Sequence, residues 1–301
     1  MTTTAPSGAP VLVLGVTGKT GAAVAHALLA RGVPVRGTTR RPAGGRHRGR
    51  APAGVELVQV DPAAGAGLDE ACAGVRAIHH SAPNLSVDEV PMLARTIAAA
   101  RRAGVDRVVL HSVMHPYVPS MPHHLRKAQA EHLLRTSGLA WTILQPAAYF
   151  QNLLGPVLDG RLAVPYSLDR TFTNVDLRDV AEASATVLLD PDHVHATYEL
   201  AGPEELNAHT MAAQAGEVLG FPVIATRTAA AITDDLAATS ELLAMFAYYD
   251  AHGFVGSAHV LAMLLGRRPT SWQQYLAATA TPERPIRGRR PTLFATGPER
   301  N

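Results

Sequence analysis

The chain has 301 residues, of which 47% are hydrophobic and 17% charged. That suits one large or two modest folded domains and excludes wholesale disorder. Apolar runs stay short of the roughly 18 residues a membrane span needs, and the single cysteine, Cys72, excludes an internal disulfide. The net charge of +2 is unevenly spread: residues 40–50 hold five arginines and no acid, the stretch from Glu283 holds five arginines against two glutamates, and the remainder is mildly acidic. Basic character confined to one loop and one tail, without interleaved aromatics, does not describe a nucleic-acid face. The opening MTTTAPSGAP lacks the basic and apolar blocks of a signal peptide, so a cytoplasmic location is expected.

Along the chain, the short apolar run PVLVLG (10–15) ends in glycine and is followed by a helical pattern through Val24, Leu28 and Leu29. The β-rich runs PVRGTT (34–39), VELVQVD (55–61), VRAIHHSAP (75–83), RVVLHS (107–112) and WTILQP (141–146) recur, with helix-length stretches between them. Such alternation predicts βαβ units and a doubly wound parallel sheet of the α/β class. Helices ending on basic residues followed by glycine are expected before Gly104 and Gly138. After Pro146 the rhythm changes. A helix is expected from near Asp176, a strand at 198–201, a helix at 207–219 and a helical region over 230–265. The expected organisation is a dinucleotide-binding core over 1–155, a smaller, mainly helical substrate region over 156–280 that exchanges elements with it, and a loose basic tail over 281–301.

The first βα turn reads Gly15-Val16-Thr17-Gly18-Lys19-Thr20-Gly21. Glycines spaced in this way let a pyrophosphate approach the amides of a helix N-terminus, which a side chain would block. The second strand should end near Thr39, where an acidic residue would take the ribose hydroxyls of NAD. The sequence has Arg40 and Arg41 there instead, and Lys19 adds a second cation, so NADP(H) is the expected cofactor. Asp61, after the third strand, is read either as an adenine contact or as a helix N-cap. Ser81, Ala82 and Pro83 follow the fourth strand and should border the cofactor, because ligands lie outside the carboxyl ends of parallel strands. Fourteen histidines invite a metal reading, but neither His111 and His115 nor His193 and His195 share a helical face, and no metal site is expected. No Gly-x-Ser-x-Gly elbow is present.

Gly15 to Gly21, Arg40, Asp61 and the stretch from His111 to Leu153 resemble the NmrA-like proteins, atypical members of the short-chain dehydrogenase/reductase superfamily. The resemblance spans roughly residues 10–275 and is most specific in HSVMHP, HHLRKAQAEHLL, SGLAWTILQPAAYFQN and VDLRDVAEA. It implies a Rossmann-type fold with NADP(H) across the carboxyl ends of the strands. The activities it implies are NADPH-dependent reduction of a small conjugated carbonyl or quinone, or non-catalytic sensing of redox state on behalf of a protein partner. The superfamily's active-site lysine corresponds to Lys127, which the resemblance assigns to the nicotinamide ribose. Four residues earlier stands His123 where the superfamily has tyrosine. Ser112 matches the superfamily's serine, and His123 or His124 is a candidate proton donor. Pro146 and Tyr149 fall where relatives close over the nicotinamide, and Tyr117 and Asn152 are further substrate candidates. The stretch containing Met245, Tyr248 and Tyr249 is read as an apolar, aromatic lid over the substrate, as core, or as a homodimer face.

Overall fold

The computed structural model describes residues 8–40, 51–230 and 235–279. Arg41, the rest of the arginine-rich loop to residue 50 and the basic tail from 281 lie outside the described residues. Of those described, the residues within Met1–Tyr117, His124–Pro146 and Leu177–Glu199 form one compact unit. Those within Val118–His123, Ala147–Asp176 and Leu200–Asn301 form the other.

The first unit runs β1 (Val11–Val13), α1 (Lys19–Ala30), β2 (Val35–Thr39), β3 (Glu56–Gln59), α2 (Leu68–Cys72), β4 (Ala77–His80), α3 (Glu89–Ala103), β5 (Arg107–His111), α4 (Pro122–Arg135) and β6 (Ala140–Pro146). The sheet order is β3-β2-β1-β4-β5-β6, and every neighbouring pair in it is parallel. The edge beyond β6 is β8 (Ala196–Leu200). This is the doubly wound α/β order expected of parallel strands joined by crossovers. One face of the sheet packs Leu12, Ile78, Val108, Leu110 and Ile143 against Leu93, Ile97 and Ala100 of α3 and Ala130 and Leu134 of α4. At the C-cap of α1, Arg31 reaches the Glu182 carbonyl and the Thr186 hydroxyl of α6 (Leu177–Leu189). Helix α3 ends at Gly104 in the left-handed region (φ 69°), as the basic-then-glycine pattern predicts.

The second unit contains α5 (Leu154–Leu158), β7 (Arg161–Val164), α7 (Ala208–Leu219), β9 (Ile224–Arg227), α8 (Leu236–His252), α9 (His259–Leu265) and α10 (Trp272–Thr279). β7 and β9 pair in parallel. Phe150, Leu162, Met211, Trp272 and Tyr275 form its core, and the Trp272 indole donates to the Met211 carbonyl at 2.9 Å. The single helical region expected over 230–265 is instead broken after His252. Gly253 has φ 70°, a Cβ there would lie 2.4 Å from the Thr171 carbonyl oxygen, and the Phe254 amide donates to that oxygen. The chain leaves the helix to bridge onto Phe172, which a side chain at 253 would prevent.

The strands also bury imidazoles. Strand alternation turns Ile78 and His80 toward α3 and His79 to the opposite face, where its ring meets that of His111 edge-on at 5.5 Å. Burial holds His79 down to about 4. Burial first, then the charges of Lys127 and His79, hold His80 down to about 3, and burial with the same two neighbours keeps His111 well below its ordinary value. All three are neutral in the fold and protonate once the chain unfolds in mild acid, so the unfolded state binds more protons below the ordinary value of 6.5. Their stability contribution is therefore complete above pH 6.5 and lost as the pH falls toward 4. Urea melts should show unfolding free energy declining through that window by up to about 1.4 kcal/mol per pH unit per histidine. A midpoint unchanged between neutral and mildly acid pH would refute the neutral-imidazole assignment.

Candidate active site

The turn from β1 into α1 is built by close backbone contact. Gly15 sits at φ +67°, its amide donates to the Thr38 hydroxyl of β2 at 2.9 Å, and its carbonyl accepts from Gly18 N–H at 2.9 Å. A Cβ on Gly21 would lie 2.4 Å from the Gly15 oxygen, so the third glycine admits the helix against the strand. Gly18 is the N-cap of α1 and makes no side-chain cap, while Gly15 and Gly18 are exposed with Thr17 and Thr20 half-buried beside them. The first turn of a twelve-residue helix is thus presented on a bare, open backbone, to which a pyrophosphate is complementary. Lys19 opens that helix, and burial holds its ammonium below the ordinary lysine value. The residues present fit a dinucleotide.

β2 ends at Thr39 and Arg40 follows it, exposed. Asp61 is exposed after β3, and its Oδ1 accepts from the amides of Ala63 (2.9 Å) and Ala64 (3.3 Å). Its carboxylate therefore closes a local turn. It does not cap α2, whose N-cap is Gly67 at φ 84°. Ser81 and Ala82 are half-buried and Pro83 exposed after β4.

Around β5 and α4 the first unit buries charge. Ser112 is buried, and its hydroxyl donates to Glu131 Oε1 at 2.6 Å. The same oxygen accepts from Gln145 Nε2 at 2.7 Å, while Oε2 accepts from Arg135 Nη1 at 3.0 Å and the Tyr117 hydroxyl at 3.4 Å. Glu131 is fully buried, and Tyr117 is 62% exposed. Lys127 is buried, and its Nζ lies 2.6 Å from Glu89 Oε1 of α3, itself fully buried. His124 Nδ1 faces the His115 carbonyl at 3.1 Å, and burial holds this ring down to about 4. At neutral pH His124 carries no imidazolium proton, which departs from its expected role as an acid. Lys127, Glu131 and Leu134 share one helical face at i, i+4, i+7 spacing. In the sequence, an acidic residue on the apolar stripe of α4 is the readable sign of Glu131, and nothing local marks Glu89.

In the second unit Tyr149 is half-buried, and its backbone bridges Val175. Phe150 is core, its ring tilted against those of Trp272 and Tyr275 at 5.1 and 5.5 Å, and Asn152 is exposed at the end of the same turn. Of the aromatic stretch, Tyr249 is buried among Tyr166, Phe172 and Phe254, and burial pushes its hydroxyl up. Met245 and Tyr248 are half-buried, and Tyr248 packs on His252 at 4.7 Å. His123 is buried one helical turn before Lys127 on α4. Pro146 ends β6, and its carbonyl accepts from Met114 N–H at 3.0 Å.

Comparison with known proteins agrees with this architecture. Over 221 residues the chain is 35% identical to (4-alkanoyl-5-oxo-2,5-dihydrofuran-3-yl)methyl phosphate reductase of Streptomyces griseus subsp. griseus, a match covering 71% of this chain and 75% of that protein. It is 29% identical to the NAD(P)H azoreductase of Xenophilus azovorans over 219 residues, with coverage of 71% and 75%. The structure of the Escherichia coli NADPH-dependent quinone oxidoreductase QOR2, solved with NADPH, superposes with a TM-score of 0.76 over 90% of this chain and all of that one, at 22% identity. That last likeness is one of fold. Residues 8–276 match the NmrA-like family, and the chain belongs to it.

Proposed function

We propose that this protein is an NADP(H)-dependent reductase of a small conjugated carbonyl or quinone-type substrate. The observation that carries the reading is the open glycine turn at the head of α1, with Lys19 in it and Arg40 directly after β2. Backbone amides at a helix N-terminus suit a pyrophosphate, and a guanidinium beyond the second strand suits a 2′-phosphate in place of a bare ribose. The names of the Streptomyces and Xenophilus relatives, both reductases, support the same class of chemistry. When bound and reduced, the dinucleotide supplies a hydride.

The chain's own residues then have separate tasks. Gly15, Thr17, Gly18, Thr20 and Gly21 present amides and hydroxyls to the phosphates. Arg40, with Arg41, selects the phosphorylated ribose, and Ser81 to Pro83 border the ligand. Lys127 gives N–H groups to the nicotinamide ribose. A quinone or conjugated carbonyl takes the hydride to give a stabilised enolate or phenolate, so it asks less of a proton donor than a simple ketone does. His123 supplies the remaining proton in this reading, because His124 is held neutral and Ser112 donates its hydroxyl to Glu131.

The commitment of Ser112 also favours a second reading, a non-catalytic NADP(H)-binding redox sensor that passes its state to a protein partner, since no serine hydroxyl is left for a substrate carbonyl. A panel of quinones and enones followed by NADPH absorbance separates the two: turnover supports the reductase, and tight binding without turnover supports the sensor.

Two variants test the assignments. Arg40→Ala should raise the NADPH Kd about ten- to a hundredfold, the worth of one charge-assisted phosphate contact, and leave NADH binding unchanged. An equal effect on both nucleotides, in fluorescence titrations, removes the specificity claim. His123→Phe should lower kcat by roughly a hundredfold or more with the NADPH Kd within about twofold of the parent. Normal turnover on every active substrate would make His123 structural.

A further inference from the structure

Lys127 does not stand alone. Its ammonium lies 2.6 Å from a carboxylate oxygen of Glu89, and both residues are buried, Glu89 completely. Two groups that almost never leave water have been brought inside together, which is sustained only while each neutralises the other. Glu89 opens α3 on the same buried face as Met92, Leu93, Thr96 and Ile97, where it is the one charged side chain.

The surroundings explain why the carboxylate is needed. His80 on β4, His111 on β5 and His124 on α4 all lie within electrostatic reach of Lys127, and Arg126 beside it acts on Glu89. The three imidazoles are held neutral by burial, and Arg126 is a further cation. Glu131, one turn along α4, already takes Ser112, Gln145 and Arg135. His80 is fixed as well. The Thr96 hydroxyl donates to the Met92 carbonyl at 3.1 Å, so it accepts from His80 Nδ1 at 3.2 Å. The neutral ring then turns a lone pair outward at Nε2, which is buried and has no hydrogen-bond partner among the described residues. Lys127 therefore sits among neutral rings and a like charge, with Glu89 as the carboxylate in contact with it.

From this geometry we infer that Glu89 is the positioning residue of Lys127: it keeps the buried ammonium charged and aims its remaining N–H groups, and thereby sets the alkaline limit of dinucleotide binding. The inference rests on the reading that Lys127 holds the ribose. An ammonium has three N–H donors. The ammonium is held 2.6 Å from Glu89 Oε1 as an ion pair, and that contact fixes its position and so the directions open to its N–H groups. Without the carboxylate the cost of holding a charge out of water is no longer offset by a partner in contact, and that cost matters more as alkali favours neutral forms.

The test is NADPH titration by fluorescence from about pH 6 to about pH 9 on the full chain, for the parent, Glu89→Gln, Glu89→Asp, Lys127→Met and Glu89→Gln/Lys127→Met, with thermal melts to establish folding. In Glu89→Gln the ratio of variant to parent Kd should be small at the acid end and widen to about tenfold or more at the alkaline end. Glu89→Asp retains the charge and should stay within about threefold of the parent throughout. In Lys127→Met background, Glu89→Gln should cost nothing further. A pH-independent ratio, an aspartate variant as alkali-sensitive as the glutamine one, or additive losses in the double variant each overturn the positioning role while leaving Lys127 as a ribose contact. Parent-like binding by Lys127→Met overturns the ribose reading itself, and the positioning role with it.

Discussion

The first βα turn is the constraint on which the rest of the first unit depends. The Val16 side chain occupies the space above Gly37 of β2, where a Cβ would fall 2.4 Å from Val16 Cγ1, and α1 approaches so closely that a Cβ on Gly21 would fall 2.4 Å from the Gly15 oxygen. Thr38, also on β2, receives the Gly15 amide. These contacts lock β1, β2 and α1 at one separation, and they leave the head of α1 uncovered. The same glycines that make the packing tight make the backbone accessible, because a residue without Cβ satisfies both demands. Arg40 inherits its place from that arrangement, as the next residue after β2.

A second constraint is the burial of polar groups beneath the carboxyl ends of the strands. Glu131 joins β5 through Ser112, β6 through Gln145 and, by way of Arg135, the Thr197 hydroxyl of β8 at 2.8 Å. Arg135 also stacks over the Trp141 ring at 5.3 Å. A buried carboxylate with all of its donors in place is tolerated, and one that has lost a donor destabilises by several kcal/mol, so the network fixes which strands neighbour α4 with more directionality than the apolar core can. That directionality limits the chemistry. Ser112 is drawn into the scaffold, His124 is bonded to a carbonyl, and Lys127 is paired with Glu89.

The second unit has a different character. Its core carries two aromatic groups among aliphatic side chains: Phe150, Trp272 and Tyr275 in one, and Tyr166, Phe172, Tyr249 and Phe254 in the other. Large rings at 4.7 to 6 Å bury much area per residue and hold helices of modest length in place. The break at Gly253 belongs to this packing, since it brings Phe254 back onto Phe172.

Much of the first unit was written in local order. Alternating β-rich runs and helix stretches announced a parallel α/β sheet, three spaced glycines starting at the end of PVLVLG marked the phosphate-type turn, and basic residues followed by glycine marked the end of α3. These signals are local because hydrogen-bond period, backbone φ and helix termination act within a few residues. What tertiary structure alone decided is pairing across the chain. The assignment of Ser112 to Glu131, of Lys127 to Glu89, and of Asp61 to its own turn instead of a helix depends on which groups meet, over separations as long as 38 residues in the case of Lys127 and Glu89. The neutrality of His79, His80, His111 and His124 depends on burial, which no stretch of sequence carries by itself. Residue types set what each group can do, and the fold, by removing water and choosing partners, set which of those capacities survive.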